Sequence, residues 1–144
     1  MPDESPSARI VAACETHWET YKSDCSGFVK AVASTLGVQI SGQANDIADS
    51  IERLPWLKLK DGVEARDKAE LGFLVLGALK ATPNGHVVIV VPGELNRSKY
   101  PTAYWGSLGK TGKKNTTINW SWTLGELDKV KYACCLVPMK VSLL

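Results

Sequence analysis

Two apolar runs in the middle of the chain constrain its fold more than any other feature. Residues 71–79 and 86–91 are dense in β-branched and apolar side chains, and the turn-rich residues 80–85 connect them. This pattern predicts two neighbouring antiparallel strands that are buried on both faces. The chain therefore contains an antiparallel sheet with a buried centre.

Helical periodicity dominates the part of the chain that precedes these strands. The pattern predicts helices over residues 7–21, from residue 25 or 26 to residue 36, over residues 45–54 and, less regularly, over residues 63–71. Ser5 or Ser7 serves as the N-cap of the first helix, and Gly37 ends the second. Leu54 faces inward at the end of the third helix, which Pro55 terminates.

Short strands follow the central pair. They are predicted over residues 102–106, 117–122 and 130–137, while the basic run of residues 110–114 is expected to be a solvated loop. No internal repeat or linker is visible. The order of helices and then strands predicts an α+β fold, with N-terminal helices packed on an antiparallel sheet, in one domain of residues 1–144.

Composition excludes several classes of function. The formal net charge of +2 over 144 residues is too small to indicate a nucleic-acid partner. The longest apolar stretch is too short to cross a bilayer, so no membrane insertion is expected. The acidic N-terminus lacks the basic-then-apolar order of a secretory signal peptide. We therefore expect a protein that is made in the cytoplasm and reaches any other compartment without a cleaved signal.

The four cysteines do not form a disulfide framework or a metal site. They lie at positions 14, 25, 134 and 135, and the chain has only two histidines and no CxxC pair. Cys134 and Cys135 are adjacent in a predicted strand, so their side chains must point to opposite faces. We expect Cys14, Cys134 and Cys135 to be buried and inert, and we expect neither a metal nor a cofactor.

Cys25 has a different setting, because it begins a predicted helix directly after Asp24. A thiol at a helix N-terminus faces unpaired backbone N–H groups and the positive end of the helix dipole, and both favour the thiolate. His86 begins a predicted strand 61 residues later. Each residue alone has a plain structural explanation, N-capping by Asp24 or a histidine in a strand. Together they predict a cysteine hydrolase with Cys25 as nucleophile and His86 as base.

Two further groups complete the predicted chemistry. Backbone N–H groups at the start of the second helix, including that of Cys25, would bind the oxyanion. A third group would orient the imidazole, and the sequence leaves two alternatives: the hydroxyl of Ser107 or a backbone carbonyl of residues 103–105. His17 shares a helix with Trp18 and is expected to be a packing or surface residue.

The motif of residues 24–29, Asp-Cys-Ser-Gly-Phe-Val, followed by Gly85-His86-Val87, resembles the NlpC/P60 peptidoglycan amidases, which have a papain-like fold. Further segments, including residues 10–14, 32–38, 72–75 and 99–107, resemble the type VI secretion amidase effectors of the first family. The resemblance covers most of the chain. It assigns Cys25 and His86 as the catalytic pair, and it makes Asp24 and Ser26 residues that shape the site.

The family implies a toxin that acts on rival Gram-negative cells. Its substrate would be the γ-D-glutamyl–meso-diaminopimelate bond of peptidoglycan stem peptides. The toxin would be exported by the type VI apparatus, act in the recipient periplasm and be neutralised by a cognate periplasmic immunity protein. The relatives also carry additional cysteines, including a pair that ties the first helix to the C-terminus; here the corresponding positions are Ala8 and Lys140.

Two rival functions remain compatible with the same motif. A housekeeping NlpC/P60 endopeptidase that remodels the cell wall would usually carry a signal peptide and wall-binding repeats, and neither is visible in this sequence. A non-catalytic partner-binding domain on the same fold would not need Cys25 and His86. The presence of both residues therefore favours the enzyme.

Overall fold

The computed structural model describes residues 5–139. Five α-helices, one 3₁₀ helix and six strands occur in this range. In chain order they are α1 (Pro6–Tyr21), α2 (Cys25–Thr35), α3 (Ala44–Ser50), β1 (Leu57–Leu59), α4 (Gly62–Glu70), β2 (Leu74–Leu79), β3 (His86–Val90), β4 (Thr102–Trp105), β5 (Lys113–Thr117), the 3₁₀ helix (Ile118–Trp120), α5 (Leu124–Leu127) and β6 (Lys131–Cys135). The predicted α+β class is confirmed.

The strands form one antiparallel sheet in the order β1-β6-β2-β3-β4-β5. The predicted central hairpin is confirmed, because β2 pairs with β3 from Val75↔Val90 to Leu79↔His86. This register places His86 beside the connector between the two strands. His86 therefore lies at the end of a central strand, next to the loop that connects β2 with β3.

Two separate hydrophobic cores lie on the two faces of the sheet. The first core contains side chains from α1, α2 and α3 with Val87 and Ile89 of β3. The second core contains Val88 and Val90 of the same strand, packed with side chains from α4, α5 and the segment around the 3₁₀ helix. Alternate residues of β3 thus belong to opposite cores, as the two-residue period of a strand requires.

Helix termini follow the predicted capping. Ser5 caps α1 and accepts a hydrogen bond from the Ala8 N–H at 3.3 Å, with Pro6 in the first turn. Gly37 adopts φ +83° directly after the α2 C-cap, a conformation in which a side chain would be strained. Among residues 5–139, no helix is long and apolar enough to cross a membrane.

The prediction for the third helix was wrong at its C-terminal end. α3 stops at Ser50, because the N–H groups of Glu52 and Arg53 bond to carbonyls three residues back and the chain continues as turns. Leu54 is consequently 82% exposed rather than inward-facing. Trp56, at 7% exposure, fills the core near this point instead.

The prediction of a strand over residues 117–122 was also wrong. Thr117 pairs with Thr102, the first residue of β4, so no strand remains beyond it to pair with. The chain turns into the 3₁₀ helix, which still buries Ile118. The strand lies earlier, and Lys113 and Lys114, expected in a loop, are exposed residues of β5.

The four cysteines are free and buried. Cys134 belongs to the second core and Cys135 to the first, which confirms that these neighbours face opposite sides of β6. Lys140 lies outside the described residues. The first helix is nevertheless joined to the C-terminal segment, because the Arg9 Nη1 donates to the Pro138 carbonyl at 3.3 Å.

Candidate active site

A tight turn between α1 and α2 presents the thiol. The Asp24 N–H donates to the Tyr21 carbonyl at 2.9 Å, and the Asp24 carboxylate caps α2 by accepting from the Gly27 N–H at 3.0 Å. Gly27 has no room for a side chain, because a Cβ would overlap the Asp24 carboxylate. Asp24 therefore acts here as the cap that begins the helix at Cys25.

Cys25 is the first residue of α2, and its sulfur lies at the edge of the first core. It is 6% exposed. Burial raises the pKa of the Cys25 thiol above its ordinary value. The nearby backbone N–H groups of Val87, Ser26 and Cys25 oppose this rise in pKa, while the Asp24 charge adds to it. The free protein therefore holds the thiol largely protonated at neutral pH, contrary to the thiolate expected from its position at the helix terminus alone.

His86 is held by aromatic rings of the second core. Its imidazole packs edge-on against Trp122 at 5.1 Å and against Trp105 at 6.5 Å between ring centroids. Burial lowers the pKa of His86 to about 4, and the charge of Glu126 partly opposes this. The Nε2 atom is buried and has no hydrogen-bond partner within residues 5–139.

Folding packs α2, which begins with Cys25, against β3, which begins with His86. The N–H of Val87, the residue that follows His86, lies near enough to the Cys25 sulfur to lower the pKa of the thiol. The imidazole itself faces the tryptophans, and the described residues contain no hydrogen bond between it and the thiol. Both groups are neutral at pH 7 in this arrangement. Proton transfer between them requires the ring to approach the sulfur, and catalytic hydrogen bonds often tighten only when substrate binds.

An open cavity of about 320 Å³ adjoins the thiol. Its lining includes Asp24, Cys25 and Ser26, the first three residues of the motif, together with Gln43 and Asn84. Ser26 is 3% exposed, and its hydroxyl donates to the Gln43 Oε1 at 3.0 Å. Ser26 thus lies beside the thiol and bonds to a second residue of the cavity, while its role in shaping the site stays a prediction.

Asn45 fixes the far wall of this cavity. Its Nδ2 donates to the Ala81 carbonyl at 2.9 Å, and its Oδ1 accepts from the Ala81 N–H at 3.2 Å. These bonds attach the β2–β3 connector to α3. Gly85 passes so close to the Asn45 side chain that a Cβ there would overlap the amide oxygen. The wall is therefore built by two segments that are distant in sequence.

Ser107 contacts the turn between α1 and α2 through its backbone. Its N–H donates to the Lys22 carbonyl at 3.0 Å, and the Gly112 N–H bonds to the same carbonyl at 2.7 Å. The other predicted alternative, a carbonyl of residues 103–105, includes the Trp105 oxygen, which accepts from the Trp18 indole at 3.1 Å. Neither alternative bonds to the His86 Nε2 in the part of the chain that the structure describes. The third group thus stays a prediction.

Sequence reasoning missed Gln43 and Glu126, and it left the role of Trp122 open. Gln43 is the N-cap of α3, a position where glutamine is not among the preferred residues. Its backbone N–H donates to the Asp46 carboxylate, three residues on, at 3.0 Å, and this spacing was the available signal. Glu126 lies in the four-residue helix α5, and Trp122 lies in the bend that precedes it, and neither segment is long enough to show a periodicity.

The chain is 39% identical over 145 residues to the peptidoglycan amidase Tse1 of Pseudomonas aeruginosa strain PAO1, and the alignment covers 90% of this chain and 94% of that relative. The chain belongs to the Tse1 family. This confirms the resemblance to the type VI amidase effectors of the first family, and it implies an NlpC/P60-like fold for the α+β architecture. No family model matches the chain.

Proposed function

We propose that this Tse1 homologue is a cysteine amidase that cleaves the γ-D-glutamyl–meso-diaminopimelate bond in peptidoglycan stem peptides. Cys25 is its nucleophile and His86 its base. The observation that supports this most strongly is the position of Cys25, which begins the capped helix α2 and lines a cavity, with the backbone N–H of Val87 near its sulfur. The name of the relative supports the substrate.

The proposed reaction has two balanced steps. The Cys25 sulfur attacks the γ-carbonyl carbon of the glutamyl residue while His86 takes the thiol proton and then gives it to the departing diaminopimelate amine. Water, deprotonated by the same imidazole, then attacks the thioester and releases a glutamyl carboxylate and the free Cys25 thiol. The N–H of Cys25 binds the oxyanion in both steps.

We further propose that the amidase is an antibacterial toxin. Membership of the Tse1 family supports export by a type VI secretion apparatus, action in the periplasm of recipient cells and neutralisation by a cognate periplasmic immunity protein. Expression directed to the periplasm should therefore lyse Gram-negative cells, whereas expression in the cytosol should not. Equal growth in both cases would reject the toxin proposal and would not bear on the proposed amidase reaction.

Digestion of purified sacculi tests the reaction. Wild-type protein should release fragments that mass spectrometry identifies as ending in a free γ-D-glutamate, with matching fragments that begin at diaminopimelate. Cys25→Ala and His86→Ala should release none at the same protein concentration. Wild-type digests identical to untreated sacculi would reject the amidase, and cleavage at another bond would reject the assigned specificity.

A further inference from the structure

The side chain of Gln43 faces the first turn of α2 across the cavity. Gln43 is the residue that caps α3, and it lines the same cavity as Cys25 and Ser26. Its backbone N–H is already bonded to the Asp46 carboxylate. The backbone is thus anchored, which leaves the carboxamide as the group that can act in the cavity.

Ser26 determines which end of this carboxamide is available. The Ser26 hydroxyl donates to the Gln43 Oε1 at 3.0 Å, a better contact than its 3.4 Å approach to the Asp24 carboxylate. Because the oxygen accepts from Ser26, the Nε2 end keeps its two N–H donors for another partner. The backbone N–H of Ser26 also lies near the Cys25 sulfur, where it lowers the pKa of the thiol. One residue therefore links the carboxamide to the surroundings of the thiol.

Acyl transfer to Cys25 creates a negative oxygen beside these groups. The carbonyl oxygen of the substrate becomes an oxyanion when sulfur attacks, and donors fixed in advance stabilise it more than the ground state. The helix start supplies the N–H of Cys25 as one donor. We propose that Gln43 is a catalytic residue whose Nε2 donates the second hydrogen bond to this oxyanion, with Ser26 as the positioning residue that orients it. This rests on the proposed function only in requiring acyl transfer at Cys25.

Two reactions of Cys25 separate this role from a structural one. In the first, the thiol attacks p-nitrophenyl acetate; a C–S bond forms, p-nitrophenolate leaves, and the thiol proton passes to His86 and then to solvent. In the second, the thiol displaces iodide from iodoacetamide, a substitution that forms no oxyanion. Both rates depend on the reactivity of the thiol, but only acylation forms an oxyanion. The ratio of the acylation rate to the alkylation rate therefore measures oxyanion stabilisation alone.

Gln43→Leu and Gln43→Glu should both lower this ratio by at least about tenfold, since loss of one oxyanion donor typically costs about 10²–10³ in rate and an activated ester requires less help. Gln43→Glu keeps an acceptor for Ser26 and removes only the donors. Gln39→Glu adds the same charge at an exposed glutamine that lines a different cavity, and it should leave the ratio unchanged. Mass spectrometry of the labelled protein assigns both reactions to Cys25.

Ser26→Ala tests the positioning role. It should lower the ratio less than Gln43→Leu does, and it should have no added effect in a Gln43→Leu background, because the two residues act through one hydrogen bond. A ratio that stays at the wild-type value in both Gln43 variants overturns the proposal. So does an equal fall of both rates, which would show that Gln43 only supports the fold around Cys25.

Sacculi digestion keeps the two proposals apart. A wild-type protein that leaves sacculi intact, with a ratio that still depends on Gln43, would reject the amidase and support the oxyanion role. A wild-type protein that digests sacculi, with a ratio that does not depend on Gln43, would support the amidase and reject the oxyanion role of Gln43.

Discussion

The two cores of the molecule hold one member each of the proposed catalytic pair. The first core, beneath α1–α3, contains Cys25 in a capped helix start. The second core contains Trp105 and Trp122, which hold the His86 ring. Long helices build the first core, whereas short elements and aromatic side chains build much of the second. The site therefore depends on the end of β3, where the two environments meet, rather than on either core alone.

The largest expected effect separates Cys25 from the other cysteine thiols. Cys25→Ala should lower the rate of sacculus digestion by at least about 10³-fold, because loss of a nucleophile leaves only binding and oxyanion contributions. Cys135→Ala alters a buried thiol of the same core and should keep activity in protein that remains folded. Equal losses in the two variants, with matched melting temperatures, would show that the first core has no specific nucleophile.

Burial of His86 against the second core should make the free energy of unfolding depend on pH. The pKa of His86 is about 4 in the folded protein against an ordinary value of 6.5, so between these values the unfolded chain binds the additional proton. The free energy of unfolding should therefore fall as the pH drops from 6.5 to 4, by about 3 kcal/mol from this residue. Above pH 6.5 both states are neutral and the effect disappears.

Urea titrations of wild type and His86→Gln measure this contribution as a difference. Subtraction removes the carboxylates that titrate in the same range without interacting with His86. The pKa of Glu126 is lowered mainly by its hydrogen bonds to Thr123 and to a smaller extent by the charge of His86, so a small contribution from Glu126 stays in the difference. The wild-type curve should be the steeper one between pH 4 and 6.5. Parallel curves would mean that the second core does not hold His86 in its neutral form.

Substitution of Gly106 tests the contact between the loop after β4 and the turn that precedes Cys25. A Cβ at Gly106 would overlap the Tyr21 carbonyl and lie 2.7 Å from the Asp24 carbonyl. Gly106→Ala should therefore cost about 2 kcal/mol of stability and slow the alkylation of Cys25. Gly125→Ala is the matched control, because nothing lies within 4 Å of its Cβ position. A Gly106→Ala protein as stable as this control would remove the contact from the account.

The smallest expected effect concerns the wall of the cavity. Lys80 pairs with Asp49 at 3.0 Å, and both side chains are more than half exposed. Lys80→Ala should thus cost no more than about 0.5 kcal/mol, as measured by chemical denaturation, because the two Asn45–Ala81 bonds still hold the connector. A loss above about 2 kcal/mol, several times that of an exposed ion pair, would show that the ion pair, rather than Asn45, fixes this wall.

Sequence patterns predicted the elements that have strong hydrophobic periodicity or clear capping residues. The Asp24 cap and Gly37 defined α2 within one residue, and the two apolar runs defined the central hairpin. The patterns did not predict where α3 or the strand after β4 would end. Those ends depend on the partner available in space: Thr117 stops pairing because β4 begins at Thr102.

The sequence suggested a pair of site residues but gave no geometry for them. The motif singled out Cys25 and the strand pattern singled out His86, and their catalytic roles stay predictions. Nothing local indicated that His86 would pack against Trp122, a residue 36 positions away and next to a 3₁₀ helix. The motif did not predict burial of the Cys25 thiol either. The pKa of this thiol rises because the first core buries it, whereas the motif describes only the helix terminus.

The rate at which iodoacetamide alkylates Cys25, measured across pH in wild type and in His86→Ala, tests the cooperation of the two residues most directly. If the imidazole assists ionisation of the thiol across the boundary between the two cores, alkylation of the variant near pH 7 should be at least about tenfold slower, a bound set below the roughly 10²–10⁴-fold that a general base typically contributes. A variant that reacts as fast as wild type at every pH would show that His86 does not act on Cys25, and the account of a catalytic pair would be wrong.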